Sequence, residues 1–221
     1  MNDDSSQEKA KREIFRGLFS RRYSPGERLI ENKLANDLQI SRTPIRLALG
    51  ELVQNGLLDR KDNGCYVPQI SGEDMLLVFE ARASLEGQAA YWAATRGNDE
   101  RLKKIQDLVL QEEVLYLDPE FQEKYTEVNY QFHRNIAQAP GNPYLARYID
   151  QIYWRSQIFV FFFDRFYRKG YIGSDPRDTR TSISFGEHEK LASAIVARDS
   201  ALAKALMEKH ILSTYQQSIG R

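Results

Sequence analysis

The chain has 221 residues, enough for one large or two ordinary domains, and its 42% hydrophobic and 28% charged residues describe a globular rather than a disordered protein. Its 31 basic residues balance 31 acidic ones, which argues against indiscriminate attraction to nucleic acid. No apolar run reaches the roughly 18 residues of a membrane-spanning helix, Met1-Asn2-Asp3-Asp4 lacks the pattern of a secretion signal, and a lone cysteine excludes an internal disulfide, so a cytoplasmic protein with no membrane partner is expected.

In chain order, residues 1–8 read as a disordered tail. Residues 9–19 carry Ile14, Phe15, Leu18 and Phe19 at amphipathic helical spacing. Ser24-Pro25-Gly26 is a turn, residues 30–38 form a second helix facing inward through Leu34, Ala35 and Leu38, and Gln39-Ile40 turns the chain again. Ser41-Arg42-Thr43-Pro44-Ile45-Arg46 then opens a third helix. Ser41 is a good N-cap, and Pro44 is tolerated in a first turn, where its missing N–H has no partner to lose. Ile45, Leu49, Leu52 and Val53 make its buried stripe, and Asn55-Gly56 stops it. Two short strands, residues 57–60 and 65–67, flank the tight turn Lys61-Asp62-Asn63-Gly64. Three helices and a hairpin predict a winged helix-turn-helix over residues 1–70.

Arg42 and Arg46 lie four apart and share one helical face beside two hydroxyls. A helix that begins in this way fits a DNA major groove, where guanidinium groups read guanine edges and hydroxyls reach phosphate or base. Charge placement agrees. Residues 9–61 hold 12 Lys/Arg against 6 Asp/Glu, whereas the rest of the chain holds 19 against 25. One part is suited to a polyanion and the other is not.

The landmarks Pro25-Gly26-Glu27-Arg28-Leu29, Leu34-Ala35, Ile40 through Arg46, Ala48-Leu49, Leu52, Gly56-Leu57 and Gly64-Cys65-Tyr66-Val67 resemble the DNA-binding domain of GntR-type transcriptional regulators. The resemblance implies that Ser41, Arg42, Thr43 and Arg46 contact DNA from the recognition helix, that Arg28, Asn32 and Lys33 face it, and that Gly64 approaches the minor groove at the wing tip. Asn32 stands where many relatives carry arginine, and Leu47 where glutamate is common, which points to a different operator.

Beyond residue 70 the pattern is helical throughout. Ser71 caps a helix reaching about residue 95, Asn98 caps the next to about 117, and Asp118-Pro119 opens one that ends before Pro140-Gly141. Asn142-Pro143 opens an aromatic-rich helix to residue 167, residues 170–181 are a loop, and helices over 184–198 and 199–218 close the chain. The expected fold class is therefore mainly α, a winged helix-turn-helix followed by an all-α bundle of about six helices over residues 71–221. The run Tyr153-Trp154 and Phe159 to Phe163 is too short to span a bilayer and reads as packing against neighbours or a second subunit. Cys65, beside the wing, reads as a half-buried strand residue in preference to a redox switch.

The chain has three histidines, His133, His188 and His210, each in a different expected helix. Neutral imidazole is a common ligand for zinc, nickel and similar ions. Spacing alone does not say whether these helices converge, so unrelated core or surface histidines remain the other reading. Here Arg82-Ala83-Ser84-Leu85-Glu86, Asn129-Tyr130-Gln131-Phe132-His133, Gly141-Asn142-Pro143-Tyr144-Leu145, Glu187-His188 and His210 resemble the helical effector-binding (FCD) domain of the FadR-like branch of the same regulators. That resemblance implies a divalent metal, zinc or nickel being expected, held by His133, His188, His210 and Asn129. The departure is Asn129, where relatives most often have aspartate. An amide brings no negative charge, so the ion would lack compensation and an anionic effector becomes the natural extra ligand.

A small organic acid between the metal and Arg82 is expected, because a guanidinium gives a carboxylate two parallel hydrogen bonds. An ion pair of Arg82 with Glu86 is the other reading of that arginine. Glu86, Tyr130, Arg134, Asn142, Tyr153 and Arg155 are the further candidates for the pocket wall. Taken together, these readings describe a homodimeric regulator, expected to be a repressor and not an enzyme, that binds an inverted-repeat operator in double-stranded DNA. Two alternatives are a metal-dependent enzyme built on the three histidines, and a constitutive DNA-binding protein whose site is vestigial. Against the enzyme, Glu187 is the one nearby candidate base, and its adjacency in a helix turns it away from His188.

Overall fold

A computed structural model of the chain describes residues 5–115, 121–163 and 183–219. It divides into two compact units, one gathering Met1–Met75 with Trp154–Tyr167, the other Leu76–Tyr153 with Arg168–Arg221.

In the first unit, helix α1 (Ser6–Phe19) begins inside the stretch expected to be a tail. The reason is a cap: the Ser5 hydroxyl accepts the Glu8 backbone N–H at 3.2 Å, which satisfies one of the orphan donors of the first turn. A strand β1 (Arg28–Leu29) precedes α2 (Glu31–Leu38) and α3 (Arg42–Gln54), and strands β2 (Asp59–Lys61) and β3 (Gly64–Tyr66) form the wing. The expected hairpin is therefore the larger part of a three-stranded antiparallel sheet ordered β1-β3-β2, with Leu29 opposite Cys65 and Arg60 opposite Cys65 on the other side. Leu57 and Leu58, expected in a strand, are instead buried core residues ahead of β2.

The turn between α2 and α3 closes on Gln39, which takes a left-handed conformation (φ 54°) and donates from its own amide to the Asn36 carbonyl at 2.7 Å. Ser41 occupies the N-cap position of α3 with extended backbone, but its hydroxyl makes no capping hydrogen bond and is exposed. The expected cap bond is thus absent. Gly56, at φ 77°, ends α3 with the positive φ that favours glycine.

Ile14 and Leu18 of α1, Leu34 of α2, Ile45, Leu49 and Leu52 of α3, and Leu57, Leu58, Cys65 and Val67 form one apolar core. Ile158 and Trp154 of helix α7 (Pro143–Phe163) belong to this core, and Phe15 meets Trp154 edge-on with ring centroids 5.2 Å apart. Tyr153 and Phe159 of that helix are buried, so the described part of the aromatic run is packing surface. Cys65 is buried, and burial pushes its thiol up, the state of an unreactive strand residue.

The second unit is helical. Its elements are α4 (Gly72–Arg96, from Leu76 onward), α5 (Asp99–Leu115), α6 (Phe121–Gln138), the Pro143–Tyr153 part of α7, α8 (Ile183–Val196) and α9 (Ser200–Ile219). Asn98, Asn142 and Asp199 accept backbone N–H groups at the starts of α5, α7 and α9, with the Arg101 N–H 2.9 Å from Asn98 Oδ1 and the Leu202 N–H 3.0 Å from Asp199 Oδ1. Helix α5 packs against α6 and α8, and α8 against α9. The Asp118-Pro119 signal, residues 164–167 and the expected loop 170–181 lie outside the described residues. Among the described residues no helix is long and apolar enough to cross a membrane.

Leu49 is 1% exposed at the centre of the first core. Leu49→Ala should lower stability by about 2–5 kcal/mol through lost burial and the cavity left behind, read as a fall in the urea midpoint at unchanged slope.

Candidate functional site

In the first unit, Arg42, Thr43 and Arg46 are exposed on the leading turns of α3. Ile45, Ala48 and Leu49 bury the opposite face of that helix, and this burial is what turns the arginines outward. Arg42 makes a loose ion pair, its Nη2 lying 3.8 Å from Glu31 Oε2, with its side chain 68% exposed. Asn32 and Lys33 are exposed on α2. Arg28 is engaged within the protein: its guanidinium donates to the Asn63 carbonyl and so ties β1 to the wing turn. Gly64 follows with φ 148°, and a Cβ there would meet Arg28 Nε at 3.1 Å.

In the second unit the three histidines converge. His133 on α6, His188 on α8 and His210 on α9 are at most 4% exposed, and one ring nitrogen from each lies within 4.8 Å of the others. Each falls on its helix's buried stripe, beside Ile136 and Ala137, Leu191 and Ile195, or Met207 and Ile211. Each also presents its Nδ1 to a glutamate: His133 to Glu86 at 2.5 Å, His188 to Glu112 at 2.6 Å and His210 to Glu187 at 2.9 Å. Ring nitrogens so held are donors, which leaves the Nε2 atoms as the bare lone pairs. The Nε2 atoms of His188 and His210 face each other at 3.2 Å. Two imidazoles bound to one zinc ion at about 2.0–2.1 Å and near-tetrahedral angle sit about 3.3 Å apart, so this separation suits a shared cation.

Burial, the largest cause, drives the His133 imidazole down to about 3, against the upward pull of Glu86. His210 is lowered for the same first reason, with Glu187 opposing. Burial raises the Glu86 carboxyl, but Arg82 and His133 more than reverse it and hold it at about 2. Glu187 is likewise lowered: its burial is outweighed by His210 and by the Ser213 hydroxyl. Neutral imidazoles backed by carboxylates are the protonation state that ligates metal.

Arg82 is 2% exposed, donates from Nε to Glu86 Oε1 at 2.5 Å and lies over the Tyr153 ring at 4.6 Å. Of the two sequence readings of Arg82, the ion pair with Glu86 is formed. Asn129, one turn before His133 on α6, donates from Nδ2 to the Tyr153 hydroxyl at 2.8 Å, which leaves Oδ1 as its atom able to ligate. Tyr130 packs on Tyr153 with ring centroids 5.3 Å apart, and Arg134 lies over the Tyr130 ring at 5.7 Å. The remaining candidates are engaged elsewhere. Asn142 caps α7, and Arg155 belongs to the first unit, donating from Nη2 to Asp59 at 2.5 Å.

Glu112 went unnoticed in the sequence. It continues the stripe Leu102, Ile105, Val109 on α5 and is fully buried, so an acid on an apolar stripe was the available signal. Glu187 does turn away from His188, as its adjacency requires, and it turns to His210.

A helix-turn-helix with a wing, followed by a helical bundle, defines a DNA-binding regulator. The chain belongs to the GntR family of bacterial regulatory proteins: residues 6–67 match that family and residues 77–213 match the FCD domain. It is a transcriptional regulator of the GntR/FCD type, a family of DNA-binding regulators and not of enzymes. It is similar to the Nta operon transcriptional regulator of Aminobacter aminovorans, 30% identical over 147 residues that cover 61% of this chain and 69% of the relative. It is also similar to the HTH-type transcriptional repressor GlaR of Escherichia coli (strain K12), 25% identical over 214 residues, with 92% and 89% of the two chains covered. The fold is that of the solved structure of E. coli McbR/YncC, with a TM-score of 0.72, 23% identity and 96% and 98% of the chains covered.

The lowered His133 and Glu86 values fix a pH dependence. As pH falls from 6.5 toward 3, unfolded chain takes up a proton at His133 that the folded chain refuses, and from 4.5 toward 2 the same holds at Glu86. Metal-free protein should therefore lose stability steadily on acidification below about pH 6.5, read by thermal melts across pH. Glu86→Gln should remove only the part of this dependence that lies below about pH 4.5 and keep the part due to His133, because Glu86 pulls that imidazole up and its loss leaves burial unopposed.

Proposed function

We propose that the chain is a homodimeric repressor holding a divalent metal, whose grip on an inverted-repeat operator is modulated by a small carboxylate metabolite. Residues 1–70 would read DNA, and residues 71–221 would sense the effector and dimerise. The observation that carries this reading is the convergence of three imidazoles, each facing its own glutamate at Nδ1. Repression is supported by the name of a relative, the repressor GlaR, aligned over 92% of this chain.

His133, His188 and His210 hold the ion, with Asn129 Oδ1 as a fourth candidate ligand. When bound, the metal supplies a Lewis-acidic centre with open positions for a carboxylate. Arg82 is the candidate partner for the rest of the acid. Its Nε edge is held by Glu86 and its plane by Tyr153, so its guanidinium is oriented in advance of any ligand. Leu110 and Val114 on α5 and Tyr144 and Tyr148 on α7 are exposed by 59% or more, a kind of surface that a second copy would cover.

On the DNA side, Arg42, Thr43 and Arg46 enter the major groove, Ser41, Asn32 and Lys33 take phosphate or base, and the Gly64 wing tip lies at the minor groove with Arg28 fixing its shape. Effector binding changes operator affinity to the extent that it favours one arrangement of the protein over another.

Three measurements test this. Isothermal titration of metal-loaded protein with a panel of organic acids should find at least one binder, and gel shifts with that acid should show altered operator affinity; binding of none would end the effector reading. Arg46→Ala should weaken specific operator binding by about 1–3 kcal/mol and relax the preference at one base position. His188→Ala should keep operator binding while losing metal and the effector response.

A further inference from the structure

Resting on the three-histidine reading, the geometry points to Glu112 and Glu187 as the positioning residues that hold the metal in place before any effector arrives, by fixing His188 and His210 and supplying the negative charge that the ligand set lacks.

Three imidazoles and an amide are all neutral, so the ligands themselves leave a divalent ion uncompensated. The carboxylates behind them change that. Glu86, Glu112 and Glu187 each accept from one histidine Nδ1. Glu86 is matched by Arg82 at 2.5 Å, so its charge is already spent. Glu112 is fully buried, with one oxygen 2.6 Å from His188 Nδ1 and the other without a hydrogen-bond partner among the described residues. Glu187 faces His210 and accepts from the Ser213 hydroxyl at 3.0–3.1 Å, which fixes its rotamer. With both as carboxylates, the groups directly behind the imidazoles carry one cation and three anions, a net of two negative charges. That net matches a divalent ion.

Carboxylates set behind ligating imidazoles fix ring orientation, raise ligand basicity and strengthen retention of the ion. The substitution of asparagine for an acid at position 129 is thereby answered from outside the ligand shell. The effector then binds as an exchangeable ligand and is not needed to keep the metal.

The test uses the full chain, stripped with a chelator and titrated with Zn2+ against a chromophoric competitor. Glu112→Gln and Glu187→Gln keep size and a hydrogen-bond acceptor but remove charge. Each should weaken zinc binding about 10–100-fold, and the visible spectrum of the Co2+-loaded form should shift as the rings reorient. Glu113→Gln removes an exposed carboxylate from the same helix and should leave both readings at wild-type values. Circular dichroism checks folding, and Glu187→Gln, at a side chain 20% exposed, carries the test alone if the buried variant does not fold. Wild-type zinc affinity in both variants would overturn the inference and leave the metal reading standing. Failure of the wild-type chain to bind zinc at all would overturn both.

Discussion

The second unit depends on one repeated interaction, a buried imidazole Nδ1 held by a carboxylate that is fully buried at Glu86 and Glu112 and partly buried at Glu187. Left alone, a buried glutamate is costly, and so is a buried pair of facing imidazole nitrogens. Together the costs offset. Each carboxylate faces a ring nitrogen, the Nε2 atoms of His188 and His210 meet at 3.2 Å, and one nitrogen of each of the three rings lies within 4.8 Å of the others. The polar groups come from α4, α5, α6, α8 and α9, so the arrangement specifies how those five helices pack as well as what they bind. Breaking one pair would leave an uncompensated charge among apolar side chains, which is why such networks are either complete or harmful.

The first unit solves a different problem. It must keep cations on its surface while burying enough area to hold a short helix still. Helix α3 does both, with Ile45, Leu49 and Leu52 in the core and Arg42 and Arg46 outside. An exposed ion pair such as that of Arg42 with Glu31 is worth little, so it holds the arginine only weakly. The wing is steadied from the rear by Arg28, whose place in β1 makes the sheet three-stranded.

Much of this was legible in the sequence, and what escaped did so for physical reasons. Helix α3 was readable because hydrophobic period, proline placement and the Asn55-Gly56 stop all agreed. The three histidines were readable because each sits at a distinctive motif, although only the fold could show that their rings meet. Strand β1 was invisible because a two-residue strand has no periodicity and owes its existence to pairing with Tyr66 and Cys65. Ser41 has the right residue type and backbone for a cap, yet side-chain orientation is a local competition that residue type cannot decide. Glu112 was overlooked because Gln111-Glu112-Glu113 reads as a solvated run, and only the i, i+3, i+4 stripe behind it marks the middle acid as inward. Arg155 was grouped with the wrong unit because one helix, α7, serves both cores, and a helix carries no sequence mark where its neighbours change.

The order in which the ribosome makes these parts has a consequence. All the described residues of the first unit have been synthesised by Phe163, whereas the imidazole cluster waits for His210 on α9. A nascent or proteolytically shortened chain that ends before α9 therefore contains both exposed arginines of α3 and lacks one of the three converging imidazoles. Whatever needs all three rings together therefore depends on the chain being made or kept through α9, while the buried face of α3 does not.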